Sequence, residues 1–141
     1  MRLNSHRRSW FAVCALGALL FFAPLCWAGT YLSRAGLLVE GASADTEFLR
    51  ARVNDVELAR VVQRLAEARV QAAGSMDIPK EVALAHPHLL LVLENYERAA
   101  QAAVSKDPKA FVVLHARARD EEATLRGVLK QLGFELPKVR P

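Results

Sequence analysis

Cysteine is almost missing from this chain of 141 residues, and both copies, Cys14 and Cys26, lie in its first 28 positions. There is no Cys-x-x-Cys pair, which excludes a zinc ribbon, a dithiol redox centre or a disulfide scaffold. Glycine (7) and proline (6) are scarce, so the chain is neither collagen-like nor low in complexity. Alternating strand patterns are absent beyond residue 28, which leaves helix as the regular structure available to the body. No serine sits in a Gly-x-Ser-x-Gly elbow; Ser33, Ser43, Ser75 and Ser105 read as caps or turn formers. No glycine-rich loop is present to cradle a phosphate. No glutamate has a histidine three residues later, which argues against a ferritin-like di-iron set. What is abundant is apolar: 52% of the residues, enough for one compact domain and too much for an intrinsically disordered chain.

The first 32 residues are the most specific stretch. Arg2, Arg7 and Arg8 precede a run from Trp10 to Leu32 that holds no charged residue. As a helix, such a run crosses a hydrocarbon layer of roughly 30 Å. The basic residues before it place the N-terminus in the cytoplasm and the body on the far side. Two outcomes are open. Residues 1–28 are a signal peptide with an apolar region from Ala12 to Ala23, cut between Ala28 and Gly29 after the small residues Cys26 and Ala28. Alternatively the segment to about Leu32 stays as a single-pass signal anchor. Ala23-Pro24-Leu25 before Cys26 does not suit a lipidation box. Arg7-Arg8 followed by Ser9-Trp10-Phe11 loosely resembles a twin-arginine signal, and reads better as an ordinary basic leader.

The leader also carries most of the charge imbalance. It holds three of the 19 basic residues and none of the 15 acidic ones, so the body has 16 against 15, a net charge of +1 instead of +4. That leaves no basic stripe able to neutralise many phosphates, and nucleic acid is not expected as a partner.

From Gly29 on, the chain predicts an all-α body: a small antiparallel bundle of three or four helices. A short first helix, separate or continuing the charge-free run, is expected around Tyr31–Val39, then a break at Gly41–Asp45 with Ser43 or Asp45 as N-cap, and then a periodic run through Phe48, Leu49, Val53, Val56, Ala59, Val62, Leu65, Ala66 and Val70. Asn54-Asp55 marks a kink or a second start inside that run, and Gly74-Ser75 ends it. A short helix is expected near Pro79–Ala85, a kink at Pro87, and a long helix to Val104. Its inner face is Leu89, Val92 or Leu93, Tyr96, Ala99 or Ala100, and Ala103. Asp107-Pro108 opens the last helix, which carries Phe111, Leu114, Ala118, Leu125, Val128 and Leu132 on one stripe and stops at Gly133. The tail from about residue 134 is expected to be extended.

Few residues could carry chemistry. His86-Pro87-His88 presents two imidazoles beside a proline, with Met76 and Asp77 upstream. With His115 and Glu122 they form the candidate ligand set for a transition metal; as plain structure, they cap helix ends and pair with arginine. Glu121 shares a stripe with Ala118 and Leu125, which points it inward towards Tyr96 as a polar core pair, with Glu94 or Glu97 as neighbours. Arg117, Arg119 and Arg126 lie close enough along the helix to pair with both acids.

The sequence therefore suggests a cell-envelope protein, exported to the periplasm or tethered to the inner membrane by its N-terminal segment. No catalytic constellation and no cofactor motif is visible, so a non-enzymatic interaction module is expected, binding a partner protein or a second copy of itself. The alternatives are a periplasmic metal-binding or metal-sensing bundle and a small accessory subunit of a membrane complex.

Overall fold

The computed structural model describes residues 23–137, and side chains from Ala28 on. The basic leader and most of the charge-free run, residues 1–22, lie outside the described residues. Those described form four α-helices and no strand: α1 (Ala23–Arg50), α2 (Val56–Gly74), α3 (His86–Val104) and α4 (Pro108–Gln131), with a single 3-10 turn at Lys80–Val82. None of these helices is long and apolar enough to cross a membrane.

The helices run up, down, up and down. α1 and α3 lie parallel and touch, since Tyr31 reaches His86 and the Ser43 side chain meets Tyr96. α2 packs on one flank of this pair through Asp45 and Arg69, and α4 on the other through Glu47 and His115. α3 is the central helix, packed along its length by both α2 and α4. The joints follow local chemistry. The Asp55 carboxylate accepts from the Leu58 N–H at 3.0 Å and opens α2; Asp107 does the same for Ala110 at 2.9 Å and opens α4. Pro87 and Pro108 sit in the first turns of α3 and α4, where a missing N–H costs nothing. Gly133 takes a left-handed φ of +83° just after α4, a conformation that a β-carbon would penalise.

The expected break at Gly41–Asp45 is not there. α1 continues through it to Arg50, and the chain turns at residues 51–54 instead, just before the Asp55 cap. Gly41 has a packing role: its missing β-carbon leaves room for the Arg69 guanidinium, whose nearest nitrogen would lie 3.0 Å from one. Arg69 then reaches Asp45, one turn further along α1, at 2.6 Å. Glycine here admits a neighbouring side chain and the helix carries on, its cost in helix propensity offset by the contacts of the buried stripe. Along α1 the residues Ala28, Leu32, Ala35, Val39, Ala42, Thr46 and Leu49 are buried. Their alternating spacing of four and three is that of a helix seam laid along a neighbour. Phe48, expected in the core, is 52% exposed, and the Arg52 guanidinium stacks over its ring at 4.2 Å. Leu65 is exposed too.

The other inner faces agree with the periodicity. Leu89, Val92, Leu93, Tyr96, Ala99, Ala100 and Ala103 of α3 are all buried, as are Phe111, Ala118 and Leu125 of α4. Leu129 and His115 join them. Residues 134–137 have no regular structure, yet Leu136 is buried in the core and Pro137 lies against α1 at Gly36. The tail is thus a strap across the bundle.

Candidate functional site

A belt of polar side chains crosses the middle of the bundle. α3 contributes Tyr96, fully buried, because its position falls between Leu93 and Ala100 on the inner face. Its hydroxyl donates to Glu122 Oε2 of α4 at 3.2 Å. Glu122 Oε1 accepts from Arg126 Nε and Nη2 at 3.0 and 2.7 Å, a forked pair one turn apart on α4. Burial pushes the Tyr96 phenol above its usual range; the Glu122 charge pushes the same way, while the hydrogen bond with Ser43 opposes it.

About two turns before Glu122 on α4 is His115. Its ring stacks on Phe111, with centroids 5.7 Å apart, and meets the Tyr96 ring edge-on at 5.9 Å. Its Nε2 faces Glu47 Oε2 of α1 at 3.5 Å. The side chain is 8% exposed, and burial lowers its pKa while Glu47 partly counters that. Glu47 is itself held in its charged form by Arg50, which donates to it at 2.9 and 2.6 Å. Thr46 is the remaining buried polar group of α1, and its hydroxyl is satisfied within the helix by the Ala42 carbonyl at 2.7 Å.

The candidate ligands do not converge. His86 and His88 are two residues apart on α3, and so point to opposite sides of the helix. His86 turns to α1, with Nδ1 3.1 Å from the Tyr31 hydroxyl. Burial lowers its pKa and favours the neutral ring, which can accept that O–H at Nδ1. His88 turns to α4, where Nδ1 lies 3.7 Å from Glu121 Oε2, beyond hydrogen-bond reach. His115 pairs with Glu47, and Glu122 with Tyr96 and Arg126. Among the described residues no three histidine, cysteine or acidic side chains gather as a metal site. The inward partner of Tyr96 is Glu122, whereas Glu121 sits beside His88 near the surface. Glu94 pairs with Arg98 along α3 at 3.5 Å. Ser33 and Ser43 lie inside α1; Ser75 and Ser105 close α2 and α3.

Thr46, Glu47 and Arg69 escaped the sequence reading, for one reason. A break at Gly41–Asp45 takes the second half of α1 out of register with the first. The signal that finds them is the unbroken four-three spacing from Ala28 to Leu49.

A second feature lies where α1 meets the end of α2 and the following loop. A cleft of about 240 Å³ is lined by Thr30, Tyr31, Arg34, Met76, Asp77 and Pro79. Beside it, sharing Arg34 and Met76, a more apolar groove of about 310 Å³ runs between Leu37 and Leu38 of α1 and Ala72 and Ser75 at the end of α2. The antiparallel register fixed by Asp45 and Arg69 brings Phe48 near the level of Leu65, so exposed apolar side chains continue along the outer rim of the α1–α2 pair as Leu37, Phe48, Leu65 and Val61.

No family model, no curated protein and no solved structure matches this chain.

Proposed function

We propose that the protein is a membrane-tethered helical bundle of the cell envelope that works as an interaction module through the outer rim of α1 and α2. The observation that carries this reading is the division of labour among side chains. His86 with Tyr31, His115 with Glu47 and Tyr96 with Glu122 are pairs that join helices, and Arg126 holds Glu122 from within α4. Leu37, Phe48, Val61 and Leu65, by contrast, are large apolar side chains turned to solvent on two adjacent helices. Such a face gains by covering itself with a partner protein or a second copy.

The tethered form is supported by the course of α1. The bond between Ala28 and Gly29 falls within an unbroken helix, and Ala28 is packed at 1% exposure. Retaining the segment keeps this residue in the core, and the charge-free run then anchors the chain with its N-terminus in the cytoplasm.

The test is photo-crosslinking of the full chain in its native membrane, with a benzophenone amino acid replacing Val61 or Leu65, and Arg117 on α4 as the control. A discrete adduct from the two α2 positions and none from Arg117 supports the reading, and the adduct's mass tells a second copy from another protein. Equal, weak labelling at all three positions refutes it.

A further inference from the structure

We propose that the loop from Met76 to Ala85 is a membrane-docking surface, with Ile78 and Leu84 seated in the interfacial layer of the same bilayer that holds the N-terminal stretch. The proposal rests on the tethered reading above.

The argument is one of levels. In the tethered reading the charge-free run from Trp10 has to span the hydrocarbon layer, for which about 20 residues suffice, and that count along the sequence ends near Thr30. The first charge after the run is Arg34. The outer bilayer boundary therefore falls along α1 between Thr30 and Arg34. The loop packs on α1 at this same height: Met76, Asp77 and Pro79 share a cleft with Thr30, Tyr31 and Arg34, and His86, the residue after the loop, reaches Tyr31. A bundle carried on this helix has no room to hold the loop away from the headgroups.

The loop is built to suit that position. Leu84 is 73% exposed, the highest value among the large apolar side chains of the described residues, and Ile78 is exposed as well. Nothing in the packing calls for a leucine there, because Val82 and Ala85 on either side already fill the core. The charges around it balance: Arg34 and Lys80 against Asp77 and Glu81. Attraction to anionic headgroups is thus not the main force, and the apolar side chains supply it, while Lys80 and Arg34 can lay their aliphatic stems in the layer with the charges in water. The effect would be to fix the bundle's orientation, adding a second contact to a single tether and presenting the rim of α1 and α2 sideways along the membrane.

The experiment uses the full chain, with Cys14 and Cys26 replaced by serine, in vesicles of phosphatidylethanolamine and phosphatidylglycerol. Nitroxide labels are placed singly through Leu84→Cys, Ile78→Cys and, at the far end of the bundle, Val113→Cys. Accessibility to oxygen and to a water-soluble nickel chelate gives the depth of each. The expected result is oxygen-favoured accessibility at 84 and 78 and water-like accessibility at 113. Adding Leu84→Asp, an exposed site where the fold is unaffected, shifts the label at 78 towards water. Water-like values at 84 and 78 in protein that stays with the vesicles through an alkaline wash would overturn the docking and leave the tether standing. Protein that washes off the vesicles overturns both. An unmoved label at 78 in the Leu84→Asp variant also contradicts the proposal, since the loop would then lie at depth without its anchor.

Discussion

The two halves of the core are built differently. Where α1 enters the bundle, large side chains predominate in the interior: Tyr31, Leu32, Leu89, Leu93, Leu125 and Leu129, with Leu136 of the tail closing it and alanines such as Ala35 and Ala118 set among them. At the other end, around the turn between α3 and α4, it is made of small ones: Ala59, Ala99, Ala100, Ala102 and Ala103, filled in by Leu49, Val62 and Phe111. The polar belt of Tyr96, His115 and Glu122 falls between them. Small residues let helix backbones approach, which suits an end where α3 and α4 are joined by only three residues, Ser105 to Asp107. The large-residue end has a loop of eleven residues between α2 and α3 and can hold bulk. Stability at one end should depend on volume being present, and at the other on volume being absent except at Phe111 and Leu49.

The sharpest break is at the one large ring of the small-residue half. Phe111→Ala is expected to cost about 3–5 kcal/mol, read from denaturant unfolding, because close-packed helices cannot collapse into the hole. Leu93→Ala, in the large-residue half, should cost about 2–5 kcal/mol, towards the low end if the tail strap relaxes into the space. Enlarging instead of truncating separates the halves: Ala100→Leu is expected to lose about 1–3 kcal/mol, as overpacking forces α3 away from its neighbours. A neutral Ala100→Leu would show that the two halves do not differ in the way their side chains suggest.

Between them the belt gives smaller effects. Tyr96→Phe removes the donor to Glu122 and should cost about 1 kcal/mol, since Arg126 still satisfies the carboxylate. His86 and His115 both have pKa values lowered by burial. The unfolded chain therefore binds their protons at higher pH than the folded chain does. Stability is fully present above the ordinary histidine value of about 6.5 and declines as the pH falls below it, towards the folded values. His115→Gln should flatten part of that decline in a pH series of thermal melts. The smallest effect is expected from Gly41→Ala. The added methyl meets only the movable end of Arg69, and a gain of roughly 0.5–1 kcal/mol in helix propensity offsets the displaced ion pair with Asp45. A large loss there would mean that the Arg69 guanidinium, whose side chain is 20% exposed, cannot shift to make room for the methyl.

How legible this was in the sequence depended on the kind of signal. Caps and prolines act locally, so Asp107-Pro108, Pro87 and Gly133 marked helix ends correctly. The inner face of α3 was equally clear, because its apolar spacing is unbroken over about four turns, from Leu89 to Ala103. Gly41 misled because a glycine that admits a distant arginine has the same sequence appearance as one that ends a helix; only Arg69, 28 residues on, tells them apart. The belt was half visible. Tyr96 stood out on its apolar stripe, but it was Glu121 that the spacing turned inward towards it, while His115 and Glu122 stood out only as candidate metal ligands. Which carboxylate met which partner was decided by the relative rotation of α3 and α4, a tertiary property that spacing along either helix does not carry. The outer rim of α1 and α2 was hidden for the opposite reason: Phe48 and Leu65 fit the periodic run well enough to pass as core.

The tether is the claim on which the functional account stands, and the intact mass of the protein drawn from its native membrane tests it most directly. The account predicts a chain that keeps its first 28 residues, with a mass near the full 15.6 kDa. A mass corresponding to a chain that begins at Gly29 would contradict it, and would make the bundle a released protein with no membrane for its loop to rest on.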